Sequence, residues 1–301
     1  MTLWLLPMRL TRRIDRKMIT IQEAFQTGRR ELSDSNIENG EIDAWLLLSS
    51  LLRISKAEYL MNPLKEMSLE DYEAYQEGIK KRCRHIPLQY ITGEQEFMGL
   101  NFRVREGVLI PRQDTEILVM EALTLSEGKG VLDICTGSGC ILLSLARLGG
   151  IKYGTGIDIS EAALEIAREN AEALQVSVDF IKSDIYSQVE GKYDIIISNP
   201  PYIQTEVIPT LMEEVKDHEP VIALDGKEDG LFFYKEICRG LKDYLNPGGH
   251  VLFEIGYDQG EAVKKLLQEA EMKNINIIKD LAGLDRVVTG TWSQKKGEPF
   301  T

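Results

Sequence analysis

Apolar positions follow a helical spacing over residues 19–91 of the chain and a strand spacing after them. In the segment EIDAWLLLSSLLRIS, a period near 3.6 residues brings five side chains near one face of a helix. These are Ile42, Trp45, Leu46, Ser49 and Leu52. We therefore predict a small N-terminal helical domain over residues 18–91.

A further helix of this domain is predicted to begin after Ser68, in the segment SLEDYEAYQEGIKKRC. A serine hydroxyl at the N-cap accepts a hydrogen bond from a free N–H group of the first turn. The carboxylate of Asp71 lies in that turn, where the helix dipole favours negative charge.

Apolar residues alternate with polar ones in the next segment, GEQEFMGLNFRVREG. Phe97, Leu100, Phe102 and Val104 mark this alternation, and glycines interrupt it. A period of two between glycine turns predicts paired strands. We place a β-hairpin linker at residues 92–110.

From residue 111 to residue 301 the pattern is strand, glycine turn and helix, repeated. The predicted strands are GVLDIC, YGTGIDI, VSVDFIKSD, YDIIISN, GHVLFEIG, NINIIKD and DRVVTGTW. A helix capped by Ser160 is predicted between the second strand and the third. Strands alternating with helices predict an α/β fold, a mostly parallel, doubly wound sheet covered by helices on both faces. Ligands bind such sheets beyond the carboxyl ends of the strands.

Composition narrows the classes of function. The chain has 301 residues, 43% of them hydrophobic, and a formal net charge of -13. This charge works against sequence-independent binding to nucleic acid, which needs Lys and Arg. The four cysteines form no CxxC pair and the three histidines are scattered, so we predict no metal site and reduced thiols in the cytoplasm.

The first residues, MTLWLLPM, are apolar but too short to span a membrane, and they lack the features of a secretory signal. An ordinary amphipathic helix pattern begins just after Met18. Our hypothesis is that residues 1–17 are an extension from an upstream start, outside the native fold.

A glycine turn follows the first strand of the sheet, in VLDICTGSGCILLSLA. Gly137 and Gly139 allow a ligand to approach the backbone closely. The dinucleotide-binding fingerprint is incomplete, because Leu142 occupies the place of its third glycine, and the P-loop lysine is absent. Asp133 at the strand end would repel a pyrophosphate but attract an ammonium group.

Acidic residues also end the next two predicted strands. Asp158 follows Asp133 by 158 − 133 = 25 residues and lies where a carboxylate can bind both ribose hydroxyls. Asp184 suits the adenine amine, with Ile185 against the ring. Each carboxylate alone could be a turn, cap or surface residue, but three successive strand ends favour a ligand. A ribose and an amino group without phosphates describe S-adenosylmethionine.

The fourth strand ends in the sequence NPPY, from Asn199 to Tyr202. The Asn199 side-chain carbonyl and the Pro200 carbonyl can each accept an N–H from a planar nitrogen. Pro200 and Pro201 fix φ and donate no N–H, so both acceptors stay aimed. Tyr202 can pack on the flat face of the acceptor group. The alternative is a rigid turn without a catalytic role.

Together, the glycine turn, Asp158 and NPPY resemble class I S-adenosylmethionine-dependent methyltransferases that modify adenine N6 or glutamine N5. Further segments are similar to the HemK-type family, the release factor glutamine methyltransferases. They are HIPLQYITGEQEFMGLNFRVREGVLIPRQDTEILV, ILLSLA, DHEPVIALDGKEDGLFFYKEI and LDRVV. The resemblance spans residues 19–291.

This resemblance implies a Rossmann-like sheet of seven strands, one of them antiparallel, and an N-terminal helical domain that helps to dock the release factor. It implies methylation of the glutamine in the GGQ motif, with S-adenosylhomocysteine as product. The expected catalytic residues are Asn199, Pro200, Pro201 and Tyr202. The expected cofactor-binding residues are Asp133, Cys135, Thr136, Gly137, Ser138, Gly139, Asp158, Asp184, Ile185 and Asn199.

The sequence departs from the family pattern at a few of these positions. Cys135 stands where many members have glycine or alanine, and Ile185 stands where an aromatic residue often meets adenine. Arg112 and Glu116 match the family's IPRxxTE element. They could brace the donor pocket or form an ordinary structural salt bridge.

Other functions remain open at this stage: glutamine methylation of a ribosomal protein, adenine-N6 methylation of nucleic acid, and a binding module without catalysis. The acidic composition and the lack of a target-reading domain disfavour nucleic acid. The intact NPPY motif disfavours a pure binding module. We expect a monomer that binds peptide chain release factors and no membrane.

Overall fold

The computed structural model describes residues 19–293, and the hypothesis on residues 1–17 lies outside this range. The chain forms two compact units, the first ending at Leu88 and the second beginning at Gln89. No helix among the described residues has the length and apolar character needed to cross a membrane. Nor do the described His, Cys, Asp and Glu side chains form a group that could hold a metal ion.

The first unit consists of helices. Their bounds are α1 Ile21–Asp34, α2 Gly40–Leu52, α3 Lys56–Met61 and α4 Leu69–Arg82. Ser68 is the N-cap of α4, and its side chain accepts a hydrogen bond from the Asp71 backbone N–H at 3.0 Å. The predicted start of this helix is therefore confirmed.

Helix α2 buries a different face from the predicted one. Ile42 and Leu46 are exposed, whereas Ala44, Leu47 and Leu48 are buried. The helix is apolar nearly all round, so periodicity alone cannot select the inward face. A buried ion pair helps to select it: Arg82 Nε on α4 donates to Asp43 Oδ2 on α2 at 2.7 Å.

The second unit begins around a short helix, α5 Leu88–Thr92, and a hairpin. Its strands, β1 Glu94–Phe97 and β2 Leu100–Arg103, pair antiparallel. The remaining helices are α6 Thr115–Leu123, α7 Cys140–Leu148, α8 Glu161–Leu174, α9 Glu213–Lys216, α10 Phe232–Tyr244 and α11 Gly260–Glu269. Ser160 caps α8, accepting from the Ala163 N–H at 3.3 Å.

Seven strands form the main sheet in the order β5-β4-β3-β6-β7-β9-β8. Their bounds are β3 Gly130–Ile134, β4 Tyr153–Asp158, β5 Asp179–Lys182, β6 Tyr193–Ser198, β7 Leu245–Glu254, β8 Lys273–Lys279 and β9 Asp285–Thr291. Strands β3 to β7 pair in parallel, and β9 is antiparallel to both of its neighbours. The predicted mostly parallel α/β sheet is confirmed.

Each face of the sheet carries its own core. Leu132 and Ile196 face the side covered by α10 and α11, where Tyr234 is buried. Val131 and Ile197 face the opposite side, with Leu142 of α7. Successive residues of a strand point to opposite faces, so strands buried on both sides are apolar almost throughout. This explains why the segments YDIIIS and GVLDI show no polar alternation.

The order of strands reverses between β3 and β6. From β3 the chain winds outward through β4 to β5, then returns to place β6 on the other side of β3. The loops beyond the carboxyl ends of β3 and β6 therefore diverge and leave a crevice between them.

Candidate active site

A cavity of about 300 Å³ lies at this crevice and belongs entirely to the second unit. Its walls come from the loops that follow β3, β4, β5 and β6, from residues before α6, and from the start of α10. Most of the predicted site residues line it: Cys135, Thr136, Gly137, Ser138, Asp158, Asp184, Ile185, Asn199 and Pro201. Four do not: Asp133, Gly139, Pro200 and Tyr202.

The glycine turn after β3 is tied to the end of β4. The Gly137 N–H donates to Asp158 Oδ2 at 2.9 Å, and the Ser160 N–H donates to Oδ1 at 2.9 Å. Gly137 has φ +55, a left-handed conformation that glycine adopts without strain. The turn thus presents its backbone and the Asp158 carboxyl to the same cavity.

Burial raises the pKa of Asp158, while the N–H groups of Ser160 and Gly137 act in the opposite direction. A carboxylate has about four lone-pair sites, and these two bonds engage part of that capacity. The remaining sites can accept the two hydroxyls of a ribose.

Asp133 lies behind the cavity wall. Its side chain is fully buried and does not line the cavity. Strand alternation places it on the face of Val131, opposite Leu132 and Ile134. Its Oδ2 accepts a hydrogen bond from Thr136 Oγ1 at 2.6 Å. Asp133 therefore supports the glycine turn from beneath. Its attraction for an ammonium group stays a prediction.

Gly139 also acts through packing. A Cβ atom at this position would lie 3.1 Å from a Leu143 side-chain atom and 3.2 Å from atoms of Ala167 and Phe180. Gly139 has φ +78 and is the N-cap residue of α7. It allows α7, α8 and β5 to meet closely behind the turn.

Three non-glycine residues of the cavity adopt left-handed backbone conformations, Cys135 with φ 60, Ile185 with φ 48 and Lys227 with φ 71. A β-branched residue at positive φ is a marked outlier that the surroundings must stabilise. The Ser183 hydroxyl, which donates to the Ile185 carbonyl at 2.7 Å, is one such restraint. Asp184 is exposed at the rim of this turn.

Asn199 follows β6 and faces the cavity. Its side-chain Nδ2 donates to Thr115 Oγ1 at 3.2 Å, whereas its Oδ1 has no hydrogen-bond partner among the described residues. Thr115 begins α6 and is 2% exposed. The amide is therefore held by its nitrogen, and its carbonyl oxygen remains available.

Tyr202 is partly buried, and it is not among the residues that line the cavity. Its hydroxyl lies 3.4 Å from Glu254 Oε1, and its backbone carbonyl accepts from Gln259 Nε2 at 3.0 Å. Gly226 and Gly230 approach the Tyr202 backbone so closely that a Cβ at either would meet it within 3 Å. Tyr202 anchors the end of the NPPY loop through these contacts. Its packing on the flat face of the acceptor stays a prediction.

The two residues of the IPRQDTE element have separate roles. Arg112 lines the cavity, and its guanidinium donates to Glu219. Glu116 lies elsewhere and accepts from the Met98 N–H at 2.6 Å, in the turn of the β1–β2 hairpin. Arg112 thus braces the cavity wall, and Glu116 braces the hairpin.

Sequence reasoning missed several residues of the site. Thr115 and Glu219 lay within quoted motifs without an assigned role, and Glu254 lay inside a predicted strand. Ile222, Phe232 and Phe233 form part of the apolar wall. For Glu254 the sequence did offer a signal, a glutamate inside the apolar strand GHVLFEIG. Because an unpaired charge is costly in a core, such a residue is expected to have a polar partner.

Two family models match the chain. A model described as "PrmC N-terminal domain" matches residues 23–93, and one described as "Methyltransferase small domain" matches residues 113–217. The first match falls on the helices of the first unit. The second covers β3 to β6 and part of the cavity wall, including Gly137 and Asn199.

Curated relatives match over most of their length. A release factor glutamine methyltransferase of Clostridium botulinum is 41% identical over 265 residues, which cover 85% of this chain and 94% of the relative. One of Fusobacterium nucleatum is 40% identical over 273 residues, 88% of this chain and 77% of the relative.

Among solved structures, a methyltransferase from Pyrococcus furiosus superimposes with a TM-score of 0.52 at 20% identity. The match covers 66% of this chain and 91% of that chain. At this identity the likeness concerns the fold, which is that of a class I methyltransferase.

Proposed function

Since this chain belongs to the release factor glutamine methyltransferase family, we propose that it methylates the N5 side-chain amide of the glutamine in the GGQ motif of peptide chain release factors. The observation that carries the proposal is the Asn199 amide, held through its nitrogen by Thr115 with its carbonyl free beside a nucleoside-type pocket. The methyl donor is S-adenosylmethionine.

The residues of the cavity fit this donor. The glycine turn lets a ligand approach the backbone, and no lysine is placed in that turn for a phosphate. The carboxyls of Asp158 and Asp184 suit a ribose, an adenine amine and a net positive charge. Ile134, Ile157 and Ile185 supply apolar surface for a ring. S-adenosylmethionine supplies an electrophilic methyl group on a sulfonium.

Cofactor binding is assigned to Cys135, Thr136, Gly137, Ser138, Asp158, Asp184, Ile185 and Asn199 by their place on the cavity wall. Asp133 and Gly139 support this set from beneath: Asp133 holds the Thr136 hydroxyl, and Gly139 permits close packing. Preformed walls reduce the entropy lost when a ligand is ordered.

The NPPY loop is assigned to the acceptor. An amide nitrogen is a poor nucleophile because its lone pair is delocalised, so it has to be held in position. Asn199 Oδ1 and the Pro200 carbonyl, neither of which accepts a hydrogen bond from a described residue, can each take one N–H of the glutamine. Alignment of this kind contributes through proximity and orientation. The methylated nitrogen loses its proton readily, so the loop needs no general base.

Apolar residues close the mouth of the cavity. Ile222 and Phe232 are exposed to the extent of 54% and 41%, yet both line the wall. We assign them to covering the glutamine-bearing tip and excluding water from the reacting groups. The helical first unit is assigned to docking the release factor, and the proposed compartment is the cytoplasm, where translation ends.

The test combines the purified protein with labelled S-adenosylmethionine and a purified release factor. We expect label on the factor, located by mass spectrometry at the GGQ glutamine, and none on a factor whose tip glutamine is replaced by alanine. Parallel reactions contain DNA and ribosomal proteins. Label on either of these with none on the release factor would overturn the proposal.

A further inference from the structure

We propose that Gln259 is a positioning residue for methyl transfer: its side-chain amide holds the end of the NPPY loop against the segment of residues 222–233. This inference rests on the proposed function, because it concerns the loop that is assigned to the acceptor. Gln259 itself does not line the cavity.

The segment of residues 222–233, here named the wall segment, forms much of the apolar side of the cavity. Its lining residues are Ile222, Ala223, Lys227, Phe232 and Phe233. Residues 224–231 form turns and loops, and α10 begins only at Phe232. The position of the wall segment therefore depends on contacts with its neighbours.

The chain that leaves the NPPY loop runs beside the wall segment. The Ile203 N–H donates to the Leu224 carbonyl at 3.0 Å, and the Gly226 N–H donates to the Ile203 carbonyl at 2.7 Å. The Thr205 N–H donates to the Lys227 carbonyl at 3.1 Å. Loops joined by a few backbone hydrogen bonds open at low free-energy cost, so a further contact that holds them together matters.

Gln259 supplies this further contact. Its Nε2 donates to the Tyr202 carbonyl at 3.0 Å and to the Gly230 carbonyl at 3.2 Å. Its Oε1 accepts from the Gly256 N–H at 3.0 Å, and the residue is 9% exposed. One buried amide thus joins the last residue of NPPY, the wall segment and the turn that follows β7.

The three partners determine both the orientation of the amide and the type of residue. Carbonyls only accept and an N–H only donates, so the NH₂ group must face the two carbonyls and the oxygen must face Gly256. An ionised glutamate offers no donor, a lysine offers no acceptor, and an asparagine is shorter by one methylene. Glutamine meets all three requirements.

The backbone of Gln259 is fixed by the sheet and by α11. Gln259 is the N-cap residue of this helix, and its carbonyl accepts from the Val263 N–H at 3.0 Å. Its own N–H donates to the Gly256 carbonyl at 2.9 Å. One residue earlier, the Ile255 N–H donates to the carbonyl of Arg286 on β9 at 2.9 Å. The amide therefore restrains two loops from a rigid base.

Close packing leaves no room between these loops. A Cβ atom at Gly226 would lie 2.8 Å from the Tyr202 backbone. A Cβ atom at Gly230 would lie 2.4 Å from the Tyr202 carbonyl oxygen and 2.6 Å from Gln259 Nε2. A displacement of the wall segment toward the loop would therefore move the end of NPPY as well.

A displacement at Tyr202 would reach the groups that are assigned to the acceptor. Pro200 and Pro201 have a fixed φ, so the short loop from Asn199 to Tyr202 has little freedom to absorb a shift. The Asn199 and Pro200 carbonyls would then move relative to the apolar wall and to the methyl donor. A misplacement of about 1 Å can lower a rate by about 100-fold.

The first experiment measures kcat and KM of the full-length protein for the release factor. Gln259→Glu keeps an oxygen for the Gly256 N–H but removes both donors, and Gln259→Met removes all three hydrogen bonds. We expect kcat per folded molecule to fall by about 10- to 100-fold in both variants, because the acceptor is misaligned. KM and the donor Kd should change by less than about threefold, because Asp158 and the glycine turn lie on other loops.

A merely structural role predicts a different result. It would lower the folded fraction, measured by urea unfolding, and leave kcat per folded molecule at the wild-type value. A role confined to the turn at Gly256 would leave Gln259→Glu fully active, because this variant keeps that hydrogen bond. Either result would overturn the positioning role.

Two glycines with the same backbone conformation provide a matched pair. Gly230 and Gly128 both have φ +69, so alanine introduces similar backbone strain at each. A Cβ atom at Gly128, between α6 and β3, meets nothing within 4 Å, whereas one at Gly230 meets Tyr202 and Gln259. We expect kcat to fall by about 10-fold or more in Gly230→Ala and to stay within about twofold of wild type in Gly128→Ala. Equal kcat in the two variants would contradict the proposal.

A second readout requires no activity. Deuterium exchange, followed by mass spectrometry, compares peptides over residues 199–206 and 222–231 with a peptide from α7. In Gln259→Glu the first two should exchange about 5- to 10-fold faster, since lost hydrogen bonds lower the local opening free energy. The α7 peptide should remain as in wild type. Unchanged exchange in both loops, or equal acceleration in α7, would overturn the positioning role.

The outcomes distinguish the two proposals. If the wild type does not methylate the release factor, the proposed function fails, and the exchange measurement still decides whether Gln259 holds the two loops together. If the wild type is active and Gln259→Glu keeps its kcat, the positioning role fails while the function stands.

Discussion

Some residues at this site line the cavity, and others form hydrogen bonds that restrain the lining residues. Asn199 and Asp158 line the wall, while Thr115, Ser160 and the backbone of Gly137 occupy part of their hydrogen-bonding capacity. Each functional group is thereby restrained to one orientation before any ligand binds. Such preorganisation avoids reorganisation costs during the reaction.

Replacement of Asn199, the residue proposed to bind the acceptor, tests this division. We expect Asn199→Ala to lower kcat by about 10²- to 10³-fold, as loss of one preorganised polar group does elsewhere. Donor affinity, measured by calorimetry, should change by less than about tenfold, because most of the donor wall remains. Turnover at the wild-type rate would contradict the assigned role.

The matched control for this substitution is Asn246→Ala. Asn246 lies near the start of β7, at the amino ends of the parallel strands and away from the cavity. Its Nδ2 donates to Asp194 Oδ1 at 3.0 Å. This control makes the same asparagine-to-alanine change and removes a comparable hydrogen bond. The rate of this variant should remain within about threefold of wild type, since no group near the cavity changes.

Asp158→Ala should have the reverse effect. The change removes the proposed ribose acceptor and leaves the Gly137 N–H without its partner. The donor Kd should therefore rise by about 10- to 100-fold, the equivalent of one or two charge-assisted hydrogen bonds. Calorimetry measures this. The control is Asp179→Ala, an exposed acid at the start of β5. Equal Kd for wild type and Asp158→Ala would refute the contact.

At the scale of elements, close packing overrides helix propensity in α1. Gly28 lies inside this helix, and a Cβ there would lie 2.3 Å from the Tyr75 hydroxyl oxygen on α4. Tyr75 cannot move away cheaply, because it is 1% exposed and its hydroxyl donates to the Ala44 carbonyl at 3.2 Å. The glycine is therefore a contact point of three helices.

Gly28→Ala should destabilise the helical unit. Alanine gains about 1 kcal/mol of helix propensity. The overlap with Tyr75 costs about 1–3 kcal/mol, and loss of its hydrogen bond costs about 1 kcal/mol more. The clash therefore wins, and urea unfolding should show a loss of about 1–3 kcal/mol. In Thr27→Ala, one position earlier and partly exposed, stability should hold or rise slightly; a gain in Gly28→Ala would contradict the packing argument.

Over the whole molecule, buried acids give the stability a pH dependence. Burial raises the pKa of Asp133 to about 7, above the ordinary value near 4 of the unfolded chain. The native protein then binds more protons than the unfolded one between these values. This contribution is fully present below about pH 4 and is lost as pH rises to about 7. The lowered pKa of His250, also caused by burial, acts in the opposite direction.

Asp133→Asn isolates this effect, because the His250 contribution is common to both proteins. We expect the wild-type free energy of unfolding to decline between pH 5 and pH 8 by about 2–3 kcal/mol more than that of the variant. Urea denaturation at several pH values measures the difference. Parallel curves for the two proteins would show that Asp133 does not titrate in this range. Asp194 has a lowered pKa and affects stability only at lower pH.

Much of the fold and site could be predicted from the chain. Parallel strands buried on both faces are continuously apolar, which made YDIIIS and GVLDI recognisable. Turns that require glycine or proline are recognisable in a sequence, and this made the turn at Gly137 and the NPPY loop predictable. The inward face of α2 was not predictable, because leucines surround that helix and the Asp43–Arg82 pair joins residues far apart in sequence.

The sequence by itself determined the order of elements, the strand-end positions of the acids and NPPY, and the family. Only the tertiary structure decided which strand-end residues line the cavity: Asp158 and Asn199 do, whereas Asp133 is fully buried behind the wall and Tyr202 lies outside it. It alone brought Thr115 to the Asn199 amide. The physical reason is that hydrogen bonds and close packing act between atoms adjacent in space. Thr115 begins α6 and Asn199 follows β6, 84 residues apart in sequence, so only folding brings them together.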